Sequence, residues 1–380
     1  MKKLTALVLT LALCLSACVF AGADGAIKVA TIGPLTGDYA NYGKPVADSL
    51  ILAVEQANAQ GGIQFEVLTA QDDQGDGEQA LTAYGKLKDQ NLQILLGTVT
   101  SGACAAVAGR AVGERTFMLT PSASADMVPD VGDNVFQICF TDSSQGAKAA
   151  EYISAHPDLG KKVGIIFNNA QDYSTGIKNA FEKRAGELGL EIVATAAFSD
   201  DKAPDFSSQV NEMKNAGADL VFLPIYYTPE YKILTYASSI EYKPVFYGVD
   251  GTDGILEQEN VDASILEGLM YLTPYTPNST DERTSAYTEA FRARFGYDPN
   301  QFGADEYDAV FVLKALCEKA GVTAETSRQE ACDKLIAAIT DPEFSYDGIT
   351  GNMTWSADGT VTKEPKTAMI QGGKYVMIED

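Results

Sequence analysis

From Ile27 onward the chain alternates short β-rich runs with longer amphipathic ones. Ile27-Lys28-Val29-Ala30-Thr31-Ile32 reads as a strand, and Val46 to Ala59 as a helix with Val46, Leu50, Ala53, Val54 and Ala57 on one face. Ile63–Leu68 and Gln93–Leu96 continue as strands, with helices over Gly77–Lys88 and from about Ser101. The cycle repeats through strands Val163–Phe167, Glu191–Ala197, Leu220–Leu223 and Val245–Tyr247, with helices Tyr173–Leu188, Phe206–Ala216 and Glu230–Ser239 between them. Such alternation predicts a parallel sheet covered on both faces, and two similar series predict two doubly wound α/β lobes. Later helical patterns at Thr284–Arg294, Ala304–Lys319 and Arg328–Ile339 lack intervening strands. The runs Gly351–Ser356 and Ala368–Ile378, broken at Asp358-Gly359 and Gly372-Gly373, predict antiparallel hairpins. A tail of that kind has to pack on an existing lobe, so the chain crosses between lobes more than once.

Length agrees with two domains, since 380 residues exceed one ordinary domain. The net charge of −24 works against nucleic-acid binding, which draws its affinity from cationic contacts. A single histidine, His156, would have to serve any histidine-based catalytic triad or Cys-His pair. It sits in Ser154-Ala155-His156-Pro157-Asp158, which reads as a solvated turn, and a two-histidine zinc motif is excluded. Gly37 to Gly43-Lys44 has the wrong glycine spacing for a phosphate loop, and Pro45 stands where a hydroxyl is required. Asp72 to Glu78 begins like a calcium loop, but Ala83 replaces the expected bidentate glutamate. No dinucleotide fingerprint or nucleophile elbow is present, so the reading is of a non-enzyme without cofactor or metal.

Residues 1–23 read as a signal segment: a cationic Met1-Lys2-Lys3, then an apolar run from Leu4 to Leu15, too short to span a bilayer. Two endings fit. Leu15-Ser16-Ala17-Cys18 resembles a bacterial lipobox with cleavage before a lipidated Cys18, which the reading favours, and Ala21-Gly22-Ala23 resembles an ordinary cleavage site. Both place the mature protein outside the cytoplasmic membrane. Four cysteines remain, Cys104, Cys139, Cys317 and Cys332, and an even count in an exported protein suggests disulfides. Of three connectivities, 104–139 and 317–332 are preferred because each joins partners within one lobe; free buried thiols are the alternative.

Several pieces, in order, resemble the extracytoplasmic solute-binding proteins for branched-chain and related amino acids, of the type I two-lobed fold. They are Gly33-Pro34-Leu35-Thr36-Gly37 with Tyr42-Gly43, Gln71-Asp72-Asp73, Thr100-Ser101-Gly102, Thr120-Pro121-Ser122-Ala123-Ser124, Phe140-Thr141-Asp142 with Gln145-Gly146, Asp172-Tyr173-Ser174 with Gly176, and Tyr307-Asp308-Ala309. The resemblance covers residues 26–380. It implies that Ser101, Ser122 and Ser124 take the α-carboxylate and ammonium of an amino acid, Ser122 through its backbone and Ser124 through its hydroxyl. Serine at 124 departs from the threonine often found there. The resemblance also implies that Asp250, from the opposite lobe, meets the ammonium, helped by Tyr226 or Tyr227, while Tyr42 and Tyr173 cover the ligand.

Elementary chemistry agrees, because ligands of open α/β sheets sit beyond the strands' carboxyl ends, where helix N-termini favour anions. Asp305 and Phe302 could approach the same cleft; a free Asp305 there would favour a polar or cationic side chain. The expected crossings lie near Phe140–Asp142, Leu272–Pro274 and Phe344–Thr350. They give lobe one 26–141 plus 274–346 and lobe two 142–272 plus 350–380. The implied function is the amino-acid-binding component of an ABC importer, a monomer presenting its ligand to membrane permease subunits. A sensor for amino acids or amides, coupled to a signalling partner, is the alternative.

Overall fold

The computed structural model describes residues 25–378. The signal segment, the lipobox with Cys18 and the alternative cleavage site lie outside the described residues.

Five strands form a wholly parallel sheet in the order Phe65–Val67, Ile27–Ala30, Ile94–Leu96, Phe117–Thr120, Val135–Gln137. Alternate residues of these strands face two separate cores. Ile27, Val29, Ile94, Leu96, Phe117, Leu119 and Phe136 meet the helices Ala40–Ala59, Gln301–Ala320 and Arg328–Ile339. Ala30, Leu95, Met118 and Val135 meet Gly77–Asp89 and Ser101–Glu114 on the other face. Burial on both faces explains why these strands read as continuous apolar runs.

The second sheet has seven strands in the order Lys374–Met377, Lys366–Gln371, Met270–Thr273, Val245–Gly248, Leu220–Leu223, Lys162–Asn168, Glu191–Phe198. The last five are parallel, and the first two form an antiparallel hairpin added at the edge. The fold is thus two doubly wound α/β lobes, with the chain passing between them three times.

The chain first passes between lobes ahead of helix Asp142–Ala155 and passes back after strand Met270–Thr273. Helix Asp142–Ala155 contributes Ala149, Ala150 and Ile153 to the second lobe's core, and Tyr275, after Met270–Thr273, packs with Leu52, Tyr287 and Phe291 of the first lobe. The third passage is displaced from the expected Phe344–Thr350. Strands Tyr346–Gly348, Gly351–Trp355 and Val361–Thr362 form a small sheet of their own, and Phe344, Met353, Trp355 and Val361 are buried in the first lobe's core. The Trp355 indole donates to the Gln137 carbonyl at 2.7 Å and holds this sheet against the end of a first-lobe strand. The chain therefore changes lobes between Thr362 and Lys366.

Two further expectations are corrected. Cys104, Cys139, Cys317 and Cys332 are all buried free thiols, so neither preferred disulfide is present. Cys104 packs among Ala103, Val107 and Ala108, while Cys317 and Cys332 lie in the opposite core, each used as a small apolar residue. The helix predicted from Val46 begins at Ala40 and runs through Pro45. Its opening turns fit closely under the preceding loop, since a Cβ on Gly43 would lie 2.3 Å from the Pro34 carbonyl oxygen. Tyr42 therefore sits on a helix and not in a loop.

Candidate functional site

Between the lobes, at the carboxyl ends of both sheets, lies a narrow cavity of about 10 Å³. It is lined by Tyr42, Val99, Thr100, Ser101, Ser122, Tyr173, Tyr226, Asp250, Gly251 and Phe302. Six of the seven ligand-contact residues expected from the sequence are therefore brought together. The seventh, Ser124, is fully buried but does not line the cavity; its carbonyl accepts from the Asp142 amide at 2.9 Å.

The first lobe supplies the anion-seeking wall. Ser101 opens helix Ser101–Glu114, whose first amides have no partners within the helix, and Thr100 precedes it in an extended conformation. The Ser101 hydroxyl accepts from the Ala125 amide at 3.2 Å, tying this turn to the next strand's loop. Ser122 lies in that loop and donates its hydroxyl to the Val99 carbonyl at 2.8 Å. The side chain of Ser122 is thereby used within the protein.

The second lobe supplies the acid. Asp250 follows strand Val245–Gly248 and starts a short 3₁₀ turn, Asp250–Thr252. Tyr173, from the first turn of helix Asp172–Leu188, donates to Asp250 Oδ1 at 2.5 Å and accepts from the Gly251 amide at 3.1 Å. The Asp250 amide donates to Gln145 Oε1 at 3.0 Å, so backbone and carboxyl are both fixed. Burial pushes the Asp250 carboxyl up to about 7, against the pull of the Tyr173 and Gln145 hydrogen bonds. No basic side chain lines the cavity.

Aromatic rings close the remainder. Tyr226 stacks on Tyr173 with centroids 4.6 Å apart, and Tyr42 meets Phe302 edge-on at 5.0 Å. Tyr42 also crosses the cleft: its hydroxyl donates to the Gly251 carbonyl and accepts from the Tyr227 amide at 3.2 Å. Asn41 beside it donates to the Gly254 carbonyl at 2.9 Å. These bonds join the lobes in a closed arrangement.

One residue had a visible sequence signal but no assigned role. Asp142, first in helix Asp142–Ala155, is fully buried with neither carboxylate oxygen hydrogen-bonded. Burial holds its carboxyl well above the usual range, and the nearby charge of Asp250 pushes in the same direction. Asp142 belonged to the Phe140-Thr141-Asp142 motif, so motif membership was the available clue.

Asp305 does not line the cavity, whereas Phe302, one turn earlier on helix Gln301–Ala320, does. Asp305 is ion-paired with buried Lys363, whose ammonium also donates to Thr350 Oγ1 at 2.6 Å and to the Ile138 carbonyl at 3.2 Å. His156 lies away from the cavity, stacked on Tyr152 with ring centroids 4.1 Å apart and Nδ1 2.8 Å from the Tyr152 carbonyl oxygen. Among the described residues no group of three His, Cys, Asp or Glu side chains could hold a metal, and no helix is long and apolar enough to cross a membrane.

Two α/β lobes around a polar and aromatic cavity define a two-lobed binding protein of type I architecture. The chain belongs to the periplasmic binding protein family, which it matches over residues 26–374. It is 30% identical to the Leu/Ile/Val-binding protein BraC3 of Rhizobium johnstonii over the full length of both chains. The branched-chain amino acid transporter substrate-binding protein LivJ of Streptococcus pneumoniae, solved with isoleucine, shares 26% identity. That alignment covers 93% of this chain and 100% of the other, with a TM-score of 0.82. An ABC-transporter solute-binding protein of R. palustris, solved with 4-hydroxybenzoate, has a TM-score of 0.82 at 18% identity, over 93% of this chain and 96% of its own. The last likeness concerns the fold alone.

Proposed function

We propose that this protein is the extracytoplasmic binding component of an ABC importer and captures an amino acid, of branched-chain or other aliphatic type, by closing its lobes. The observation that carries the proposal is the shared cavity of Ser101 and Asp250, which sets a helix N-terminus of one lobe opposite a buried acid of the other. The α-carboxylate takes the Ser101 hydroxyl and the amides that open helix Ser101–Glu114. The ammonium takes Asp250, with Tyr173 orienting the carboxylate. Ser124, outside the lining, is left out of the contact set.

A bound ammonium favours ionised Asp250, so the ligand brings the charge that burial alone disfavours. The side-chain end is walled by Val99, Tyr42, Tyr226 and Phe302, and the ion pair of Asp305 with Lys363 keeps free charge away from it. An apolar side chain fits those walls better than a charged one. Relatives named as binding Leu, Ile and Val support the same choice.

The role is non-enzymatic. Ligand bridging the lobes shifts an open–closed equilibrium, and the closed monomer is presented to permease subunits, tethered through Cys18 or free outside the membrane. The division into lobes is 26–141 plus 274–362 and 142–272 plus 366–378, the final crossing moved because Trp355 and Val361 pack with the first lobe. The test is titration calorimetry with leucine, isoleucine and valine. Asp250→Ala is expected to abolish binding while the ligand-free protein melts close to the wild type; unaltered affinity removes Asp250 from the site and the proposal with it.

A further inference from the structure

Tyr39 precedes helix Ala40–Ala59 and lies outside the cavity lining. Its ring stacks parallel to Tyr42 with centroids 6.2 Å apart and meets Tyr226 edge-on at 5.1 Å, so it backs two of the cavity walls. Its hydroxyl reaches across the cleft and donates to Asp201 Oδ2 at 2.5 Å. Asp201 belongs to the second-lobe loop between strand Glu191–Phe198 and helix Ser207–Ala216, and only 6% of it is exposed.

That acceptor is prepared by its own lobe. Asn168 Nδ2 donates to Asp201 Oδ1 at 2.7 Å, and Gln171 Nε2 donates to Oδ2 at 2.7 Å. The loop is pinned by Lys232, whose ammonium donates to the Ala203 carbonyl at 2.9 Å. Tyr39 supplies the third hydrogen bond on the carboxylate from the opposite lobe. Of the other bonds across the cleft, those from Asn41 to the Gly254 carbonyl and from Thr228 to the Asp38 carbonyl join neutral groups, while the Gln301 amide donates to the buried Asp253 carboxyl at 2.9 Å. The ion pair between Lys202 and Asp38 is long at 3.7 Å and solvent-exposed, so it contributes little. A hydrogen bond ending on a buried carboxylate is roughly twice as strong as a neutral one.

We propose that Tyr39 and Asp201 form a latch that holds the lobes closed and sets the rate of ligand release without touching the ligand. The inference rests on the closing-lobe function proposed above. The bond spans the two lobes, so separating them breaks it, and its loss raises the opening rate and is felt mainly in dissociation. Tyr39→Phe keeps the ring contacts and removes only the hydroxyl, and Asp201→Asn removes the charge from the other side.

The experiment measures the distance between spin labels on Lys86→Cys and Lys183→Cys, one exposed position on each lobe, while the native cysteines stay buried. Ligand-free Tyr39→Phe is expected to lose closed population relative to its parent, and isoleucine should leave it about ten-fold faster in stopped flow. Asp201→Asn should behave alike, and the combined variant should be no worse than either, as for two ends of one bond. Coincident distance distributions for parent and Tyr39→Phe without ligand, or additive effects in the combined variant, overturn the latch. Failure of isoleucine to close the parent counts against the ligand assignment, while the latch is still judged on the ligand-free distributions.

Discussion

Lys363 has its ammonium fully enclosed, facing Asp305, Thr350 Oγ1 and the Ile138 carbonyl. Asp305 is held up to about 6 by burial even though Lys363 pulls it down, so the carboxyl depends on its partner to stay charged. Removing only the cation leaves a buried acid unpaired. Lys363→Met is expected to cost about 3–5 kcal/mol in urea unfolding, and adding Asp305→Leu should return much of that loss. A loss no larger in Lys363→Met than in the double variant would show that the pair contributes no charge complementarity. Sequence reading treated these residues unequally. Ser101 and Asp250 were legible because each follows a recognisable strand and belongs to an ordered series of motifs. Lys363 was not, because its partner lies 58 positions away and a lysine in a Thr-Lys-Glu-Pro stretch has the composition of a surface turn.

At the scale of elements, the strand–helix alternation specified both parallel sheets, since period and turn chemistry are local properties. The small sheet at 346–362 was read as a hairpin, but its lobe was not legible. That choice depends on the fit of Trp355 against Phe344 and the Gln137 carbonyl, a contact between segments far apart in sequence. The thiols failed for a similar reason: an even count says nothing about whether two cysteines face each other or separate cores. Trp355 is also the single tryptophan of the chain, 6% exposed. Trp355→Ala is expected to destabilise the protein by about 3–5 kcal/mol, measured by denaturant unfolding followed by circular dichroism. A change below about 1 kcal/mol would mean that this sheet is not held through the indole.

The whole molecule buries an unusual set of carboxyls. Burial pushes Asp250 and Asp253 up to about 7 and Asp73 to about 6, and it holds Glu230 and Glu306 well above their ordinary value. Unfolded, the same groups lose their protons near 4. Between those limits the folded state binds more protons, so stability falls as pH rises through the window. Carboxylates such as Asp281 and Asp341, whose values are lowered by hydrogen bonds, have finished titrating below it. The net charge of −24 adds self-repulsion in the same direction. Calorimetric melting of the ligand-free protein is expected to peak near pH 5 and decline towards pH 8; a melting temperature that climbs across that range contradicts it.

The threefold passage of the chain also dictates an order of assembly. The second sheet stops at Met270–Thr273 until its hairpin, Lys366–Met377, has been synthesised. The first sheet has all its strands by Gln137, yet one face is covered only by helix Ala40–Ala59 until the helices Gln301–Ala320 and Arg328–Ile339 arrive. A nascent chain shorter than about 370 residues thus carries an open strand edge, the kind of template that invites mispairing. The first lobe is complete by Thr362 and the second only by Met377, so a truncation that removes the helices from Gln301 onward should cripple both at once.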